Sequence, residues 1–250
     1  MKTRVPMLVG TLAIGCASPA EKTSKTTTDT SSSLDSAAPD TPLDLAFPLA
    51  DPGAFDTVLG VDHDPVDHSD EGPIGEAICA DYMGRAFPHC YDQHEGTDYI
   101  LAGSWEAMDA GSVEILAAAD GVVVETVDGN YDRCHANFET GDIDCDGHEM
   151  RSNRVTVEHT GTDGSLWRTR YLHMMKDSVA VEEGQVVSTG DVLGKVGSSG
   201  RSSFPHLHLE LQEPGPTGEW RILDPYAGPM SQPESFWCEQ GSEDGLPGPC

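Results

Sequence analysis

Pro205-His206-Leu207-His208-Leu209-Glu210-Leu211 alternates polar and apolar residues without a break. On a β-strand successive side chains point to opposite faces, so His206, His208 and Glu210 share one face while the leucines enter the core. An ordinary half-buried strand accounts for this pattern. Two imidazoles beside a carboxylate are also how a metal ligand, a proton acceptor and an orienting partner are arranged. Glu210 reads equally as that partner or as a solvated strand residue.

Outward from this segment, short apolar runs at 113–127, 154–159, 167–174 and 185–197 alternate with Asp120-Gly121, Asp128-Gly129, Asp163-Gly164 and Gly190-Asp191. Such spacing predicts a mainly β fold: one compact antiparallel β-sheet domain with long loops and few short helices. Residues 52–96 lack periodicity and read mostly as loop. The stretch 128–152 reads as a long insertion between two strands.

Two further segments carry histidine with chemistry to offer. His94-Glu95-Gly96-Thr97-Asp98 brings an imidazole and a carboxylate close together on a bend, because Gly96 argues against a helix. Glu95 points elsewhere and reads as solvated. His173 closes the strand run Thr169-Arg170-Tyr171-Leu172. Alone, each histidine reads as structural. Together, neutral imidazoles and one carboxylate form a ligand set that suits zinc, with two histidines left over for proton transfer and charge stabilisation. His159 reads as structural, and His63, His68, His89, His135 and His148 fall in loops.

The 250 residues include 43 acidic and 14 basic side chains, a formal charge of -29. That surface repels phosphate backbones and argues against nucleic-acid binding. The reading is a soluble, self-repelling monomer. Lys2 and Arg4 precede an apolar run at 5–15 that is too short to span a bilayer and reads as an export signal. It ends Leu12-Ala13-Ile14-Gly15-Cys16, which is similar to a bacterial lipoprotein processing site with Cys16 as the lipidated residue, although Ala13 stands where Leu is usual. Residues 1–16 are thus expected to be a signal peptide, 17–43 a Ser/Thr/Asp-rich disordered linker, and 44–250 the folded domain with a cysteine-containing tail. Membrane contact is expected only through the lipid anchor.

Of seven cysteines, setting Cys16 aside leaves an even set that can pair fully. Sequence alone leaves 15 connectivities open; the local couples Cys79–Cys90, Cys134–Cys145 and Cys238–Cys250 are the expected ones. Disulfides imply an oxidising compartment. Asp142-Ile143-Asp144-Cys145-Asp146-Gly147 has the opening spacing of a calcium loop. Its twelfth position is Asn153 rather than Glu, so a solvated acidic loop is the favoured reading over Ca2+ at Asp142, Asp144 and Asp146.

Over residues 44–228 the chain resembles the lysostaphin/LytM-type (M23) zinc metallopeptidases, which cut peptide bonds in bacterial peptidoglycan. The resemblance rests on the His94–Asp98 segment, Ala118-Ala119-Asp120-Gly121-Val122-Val123, Asn153-Arg154-Val155-Thr156-Val157-Glu158-His159 and Tyr171-Leu172-His173. Further matches are Gly190-Asp191-Val192-Leu193-Gly194-Lys195-Val196-Gly197 and Gly200-Arg201-Ser202-Ser203-Phe204, ahead of the His206–His208 strand. It implies one Zn2+ held by His94, Asp98 and His208, catalytic roles for His173 and His206, and an open groove for an extended peptide. It further implies stem or cross-bridge peptides as substrate and a place in the cell envelope. The rival readings are a non-catalytic wall-binding or amidase-activating member of the same fold and a zinc protease acting on secreted proteins. A biotinyl/lipoyl-like carrier, suggested by the run at 184–194, lacks the lysine that such a carrier needs at a hairpin tip.

Overall fold

The computed structural model describes residues 41–250, apart from 138, 141, 243–245 and 249. The expected signal segment, Cys16 and the linker up to residue 40 lie outside the described residues. Twelve strands follow in order: β1 (Phe55–Leu59), β2 (Thr97–Leu101), β3 (Glu114–Leu116), β4 (Gly121–Val127), β5 (His135–Ala136), β6 (Ile143–Asp144), β7 (Arg154–Thr160), β8 (Leu166–Leu172), β9 (Val186–Val187), β10 (Val192–Lys195), β11 (His206–Pro214) and β12 (Trp220–Leu223). Among the described residues there is one α-helix, α1, spanning Ser104–Ala110. The mainly β reading is borne out.

Eight strands form an antiparallel sheet in the order β1-β2-β11-β8-β7-β4-β9. The ninth residue of β11 lies well beyond the end of β2, and β12 pairs with that far half. Two small ladders, β3 with β10 and β5 with β6, complete the pairing. Leu207, Leu209 and Leu211 are fully buried, as the alternation requires, and pack in one core with Tyr99, Val155, Val157 and Tyr171. Burying each leucine contributes roughly 1.5–3 kcal/mol, so β11 is fixed from its apolar side.

Three strands escape the sequence pattern. In β1, a bulge between Phe55 and Thr57 breaks the alternation, and Asp56 and Thr57 are exposed on the sheet edge. β12 is a short strand whose residues are half-buried or exposed, so its alternation is faint. β2 begins at Thr97, directly after the bend, so Asp98 sits on a strand and His94 on the turn before it. The folded region starts slightly earlier than expected, because Leu43 is buried in the core and the Pro42 carbonyl accepts from Thr162 N at 2.7 Å. Disulfides join Cys79 to Cys90, Cys134 to Cys145 and Cys238 to Cys250.

His159 is buried between strands, with Nδ1 2.8 Å from the Asp120 carbonyl and Nε2 2.8 Å from Thr169 Oγ1. Burial holds its pKa below the ordinary 6.5. The folded protein therefore favours neutral His159 while the unfolded chain takes up a proton, so this contribution is present above about pH 6.5 and is lost as pH falls. The melting-temperature gap between wild type and His159→Gln is expected to shrink from pH 8 to pH 5. A gap that does not change with pH would refute this account.

Candidate metal centre

The register of β11 against β2 sets His208 opposite Asp98 and His206 opposite Ile100. Directly opposed residues on antiparallel strands share a face, so both histidines and Asp98 project to the side away from the leucines. The turn before β2 adds His94, and the residue after β8 adds His173. All five side chains are buried.

Three atoms converge most tightly. Asp98 Oδ1 is 2.8 Å from His208 Nδ1 and 3.2 Å from His94 Nε2, and the two imidazole nitrogens are 3.2 Å apart. Ligands at about 2.0–2.1 Å on a tetrahedral zinc ion would be about 3.3 Å from each other. The triangle thus has the size of one face of a zinc coordination sphere. A second group, one ring nitrogen each from His173, His206 and His208, falls within 4.8 Å. It lacks a carboxylate to balance a dication, and it leaves the tighter triangle unexplained.

Backbone carbonyls fix three of the imidazoles. His94 Nδ1 meets Gly60 O at 2.7 Å, His173 Nδ1 meets Ser199 O at 2.7 Å, and His206 Nδ1 meets Phe204 O at 2.8 Å. A carbonyl only accepts, so each Nδ1 carries the hydrogen and each neutral ring keeps its lone pair on Nε2. His206 directs that Nε2 at the site, 3.4 Å from Asp98 Oδ1. His208 is the exception: Nδ1 faces Asp98, and Nε2 lies 3.6 Å from Glu210 Oε1, an ion-pair separation rather than a hydrogen bond. Glu210 is buried, held by Arg170 Nη1 at 2.7 and 3.0 Å and by Gln212 Nε2 at 2.6 Å. The solvated reading of Glu210 is thereby corrected: pairing with Arg170 across β8 draws it into the sheet face.

Charge is tightly balanced. Burial disfavours ionised Asp98, but the neighbouring His94 and His206 outweigh it and hold the carboxyl well below its usual range. Burial likewise opposes the cationic form of His208, yet Asp98 and Glu210 push it up to about 9. His173 moves the other way, lowered by burial and by the adjacent imidazoles of His206 and His208. A metal ion binding to the triangle would displace protons held there.

Two supports were not readable in the sequence. Gly96 leaves room for the His208 ring, since a Cβ there would sit 2.4 Å from Nε2 and 2.6 Å from Cε1. Asn153, fully buried, donates from Nδ2 to the carbonyls of Asn130 and Met174 and accepts from Asn130 N, while its own N–H meets Ser199 Oγ. It thereby ties Met174, which follows His173, to Ser199, whose carbonyl holds the His173 ring; the His173 φ of 61° lies in the left-handed region that a non-glycine residue rarely occupies. Their signal was only that Asn153 opens a strand and Gly96 interrupts an acidic run. Asp142, Asp144 and Asp146 do not form one of the metal-holding groups among the described residues, and Asp144 Oδ1 and Asp146 Oδ2 accept from Asp146 N and Tyr131 OH. His63 pairs with buried Asp224 at 3.0 Å, outside the triangle.

Gly96→Ala is expected to weaken zinc binding at least 10-fold by displacing His208, measured by chelator competition. Asn153→Ala is expected to cut turnover about 10- to 100-fold with metal content retained, and to add little to His173→Ala in a double-mutant cycle. Full additivity of the pair would show that Asn153 acts elsewhere.

Comparison with known proteins follows this geometry. Residues 92–220, just over half the chain, match the model of Peptidase family M23. The chain is 34% identical over 118 residues to peptidoglycan DD-endopeptidase ShyA of Vibrio cholerae serotype O1, covering 47% of this chain and 20% of that protein. It is 36% identical over 77 residues to ShyB of the same organism, covering 30% and 17%. The match thus spans a fifth or less of the length of these relatives. Among solved structures, the catalytic domain of lysostaphin from Staphylococcus simulans matches at 23% identity, over 54% of this chain and 77% of that one, with a TM-score of 0.34. A zinc-containing peptidase from Vibrio cholerae matches at 21% identity, over 72% and 39%, with a TM-score of 0.40. On the family match, which encloses the metal triangle and both remaining histidines, the chain belongs to Peptidase family M23.

Proposed function

We propose that the chain is a zinc-dependent endopeptidase that hydrolyses peptide bonds in the stem or cross-bridge peptides of bacterial peptidoglycan. The observation that carries this reading is the convergence of His94 Nε2, Asp98 Oδ1 and His208 Nδ1 within 3.2 Å of one another. Family membership supports the peptidase chemistry, and the relatives named for peptidoglycan cleavage support the substrate.

His94, Asp98 and His208 would hold the ion. Bound there, zinc supplies Lewis acidity, polarising the scissile carbonyl and lowering the pKa of a coordinated water. His206 and His173 act beside it, their rings 4.6 Å apart. Both enter as proton acceptors, because each has its hydrogen on the Nδ1 that the backbone holds. His206 takes the water proton on Nε2 and returns it to the leaving amine. His173 keeps its own hydrogen on Nδ1, so it would donate from Nε2 toward the developing oxyanion only while holding the proton that His206 took from water, and that same proton then passes to the leaving amine. Glu210 and Arg170 keep His208 turned so that Nδ1 stays a ligand atom.

The same proposal places the protein outside the cytoplasm, anchored through Cys16 and acting as a monomer at the envelope. Three disulfides fit an oxidising compartment. No helix among the described residues is long and apolar enough to cross a membrane.

The test combines metal analysis with digestion of purified peptidoglycan and mass analysis of the fragments. Wild type is expected to carry one zinc per chain and to lose activity on chelation, and His208→Ala to lose both metal and activity. His206→Ala is expected to keep zinc while turnover falls about 10²- to 10⁴-fold. Identical fragments from wild type and His206→Ala would defeat the proposal, and a metal-free protein that binds the wall or stimulates a separate amidase without releasing fragments itself would favour the non-catalytic rival.

A further inference from the structure

The face that carries the metal triangle continues past His206. Ile100 lies opposite His206 in the register and therefore on the same side as Asp98. Phe204 meets the His206 ring edge-on with centroids 6.2 Å apart. Beyond these two residues opens a cavity of about 630 Å³, bordered by Trp105 of α1, Asp56 of β1, and Tyr131 and Asp146 of the 128–152 insertion. Two residues of strand, from Asp98 to Ile100, cover about 7 Å. The cavity thus begins about two residues of extended substrate away from the metal triangle.

Its chemistry selects one kind of occupant. Phe204 is unusually exposed for a large apolar residue, and Trp105 and Tyr131 are only half-buried, so three aromatic rings line the cavity, Tyr131 with one face stacked on His148. The rings bring electron-rich faces, and the two carboxylates bring negative charge. Tyr131 OH donates to Asp146 at 2.5 Å, which leaves the other Asp146 oxygen uncommitted in this pairing, and Asp56 makes no side-chain hydrogen bond or ion pair among the described residues. The cation at the rim, Arg133, is already engaged: both terminal nitrogens reach Asp109, at 2.5 and 3.2 Å, and its guanidinium lies 5.4 Å from the Trp105 ring centre. An anionic group entering here would meet two carboxylates, a neutralised arginine and His135, whose Nδ1 is turned to the Arg133 carbonyl. A purely apolar group would desolvate the carboxylates without compensation. An ammonium satisfies rings and carboxylates together.

We propose that this cavity is a substrate subsite for an ammonium-bearing side chain, one belonging to a residue within about two positions of the cleaved bond. The proposal rests on the peptidase reading above and adds to it a preference for substrates with a free amine near the cut. The insertion supplies five of the thirteen lining residues, so it acts as a specificity element.

The test uses the full chain with peptidoglycan whose stem peptides contain a diamino residue, either untreated or with its free amines capped by acetic anhydride. Wild type is expected to show KM raised about 10-fold on the capped polymer with kcat little changed. Asp56→Asn and Trp105→Ala are expected to raise KM on the untreated polymer and to lose the distinction between the two. Asp56→Asn keeps the proposal testable if Trp105→Ala does not fold, because Asp56 is exposed on an edge strand. Equal KM for both polymers in wild type would overturn the subsite while leaving the peptidase reading intact. Cleavage of neither polymer would overturn the peptidase reading and the subsite with it.

Discussion

The arrangement depends on one pairing, His208 opposite Asp98 across β11 and β2. Strand side chains alternate with a period of two, so a slip of one residue would send His206, His208 and Glu210 into the core and the leucines to the groove. The leucines prevent this. Three fully buried leucines at roughly 1.5–3 kcal/mol each resist such a slip far more strongly than a polar face could favour it. The ligand geometry is therefore a by-product of apolar packing on the opposite side of the same strand. The strand that offers the ligand is ordered by its core, whereas in small zinc folds the ion itself drives folding.

Burying four imidazoles and a carboxylate together is costly unless each polar atom has a task. Three main-chain carbonyls, from Gly60, Ser199 and Phe204, occupy one nitrogen of His94, His173 and His206. With those nitrogens carrying the hydrogen, loss of the inward proton leaves a lone pair on each inward nitrogen, the form needed either to ligate a metal or to accept a proton. The carbonyls come from two loops, and the one carrying both Ser199 and Phe204 is bound in turn to the insertion through Cys134 N to Ser198 O at 3.0 Å and Ser198 Oγ to Cys134 O at 2.7 Å. Positions remote in sequence thus set the tautomer of a single ring.

This explains what could be read from the chain and what could not. Leu207, Leu209 and Leu211 announce β11 because burial on one face and solvent on the other leave a period of two. The stretch 52–96 announces nothing, since β1 is a bulged edge strand and the rest is 3-10 helix at Pro52–Ala54 and Ser69–Ala77, turn and loop, yet it delivers the Gly60 carbonyl that orients His94. Backbone acceptors leave no trace in residue identity. Neither does Gly96, whose role appears only when the His208 ring is seen 2.4 Å from where its Cβ would be. Glu210 looked ambiguous because its partner, Arg170, is brought beside it only by the pairing of β11 with β8. Side-chain types carried the chemistry in the sequence; the supports came from topology.

The charge distribution connects these levels. With 43 acidic and 14 basic residues, the surface repels anions, and two arginines on this side are already paired, Arg170 with Glu210 and Arg133 with Asp109, while Arg201 acts on Tyr91 beside the triangle. Cationic groups are thus drawn toward this face while few positive charges remain to hold an anionic one. A dication fits the same logic at the triangle, where Asp98 is held ionised in a buried setting. Metal and substrate would then be selected by a single electrostatic bias, strongest where burial removes water and weaker toward the open cavity, where salt screens it.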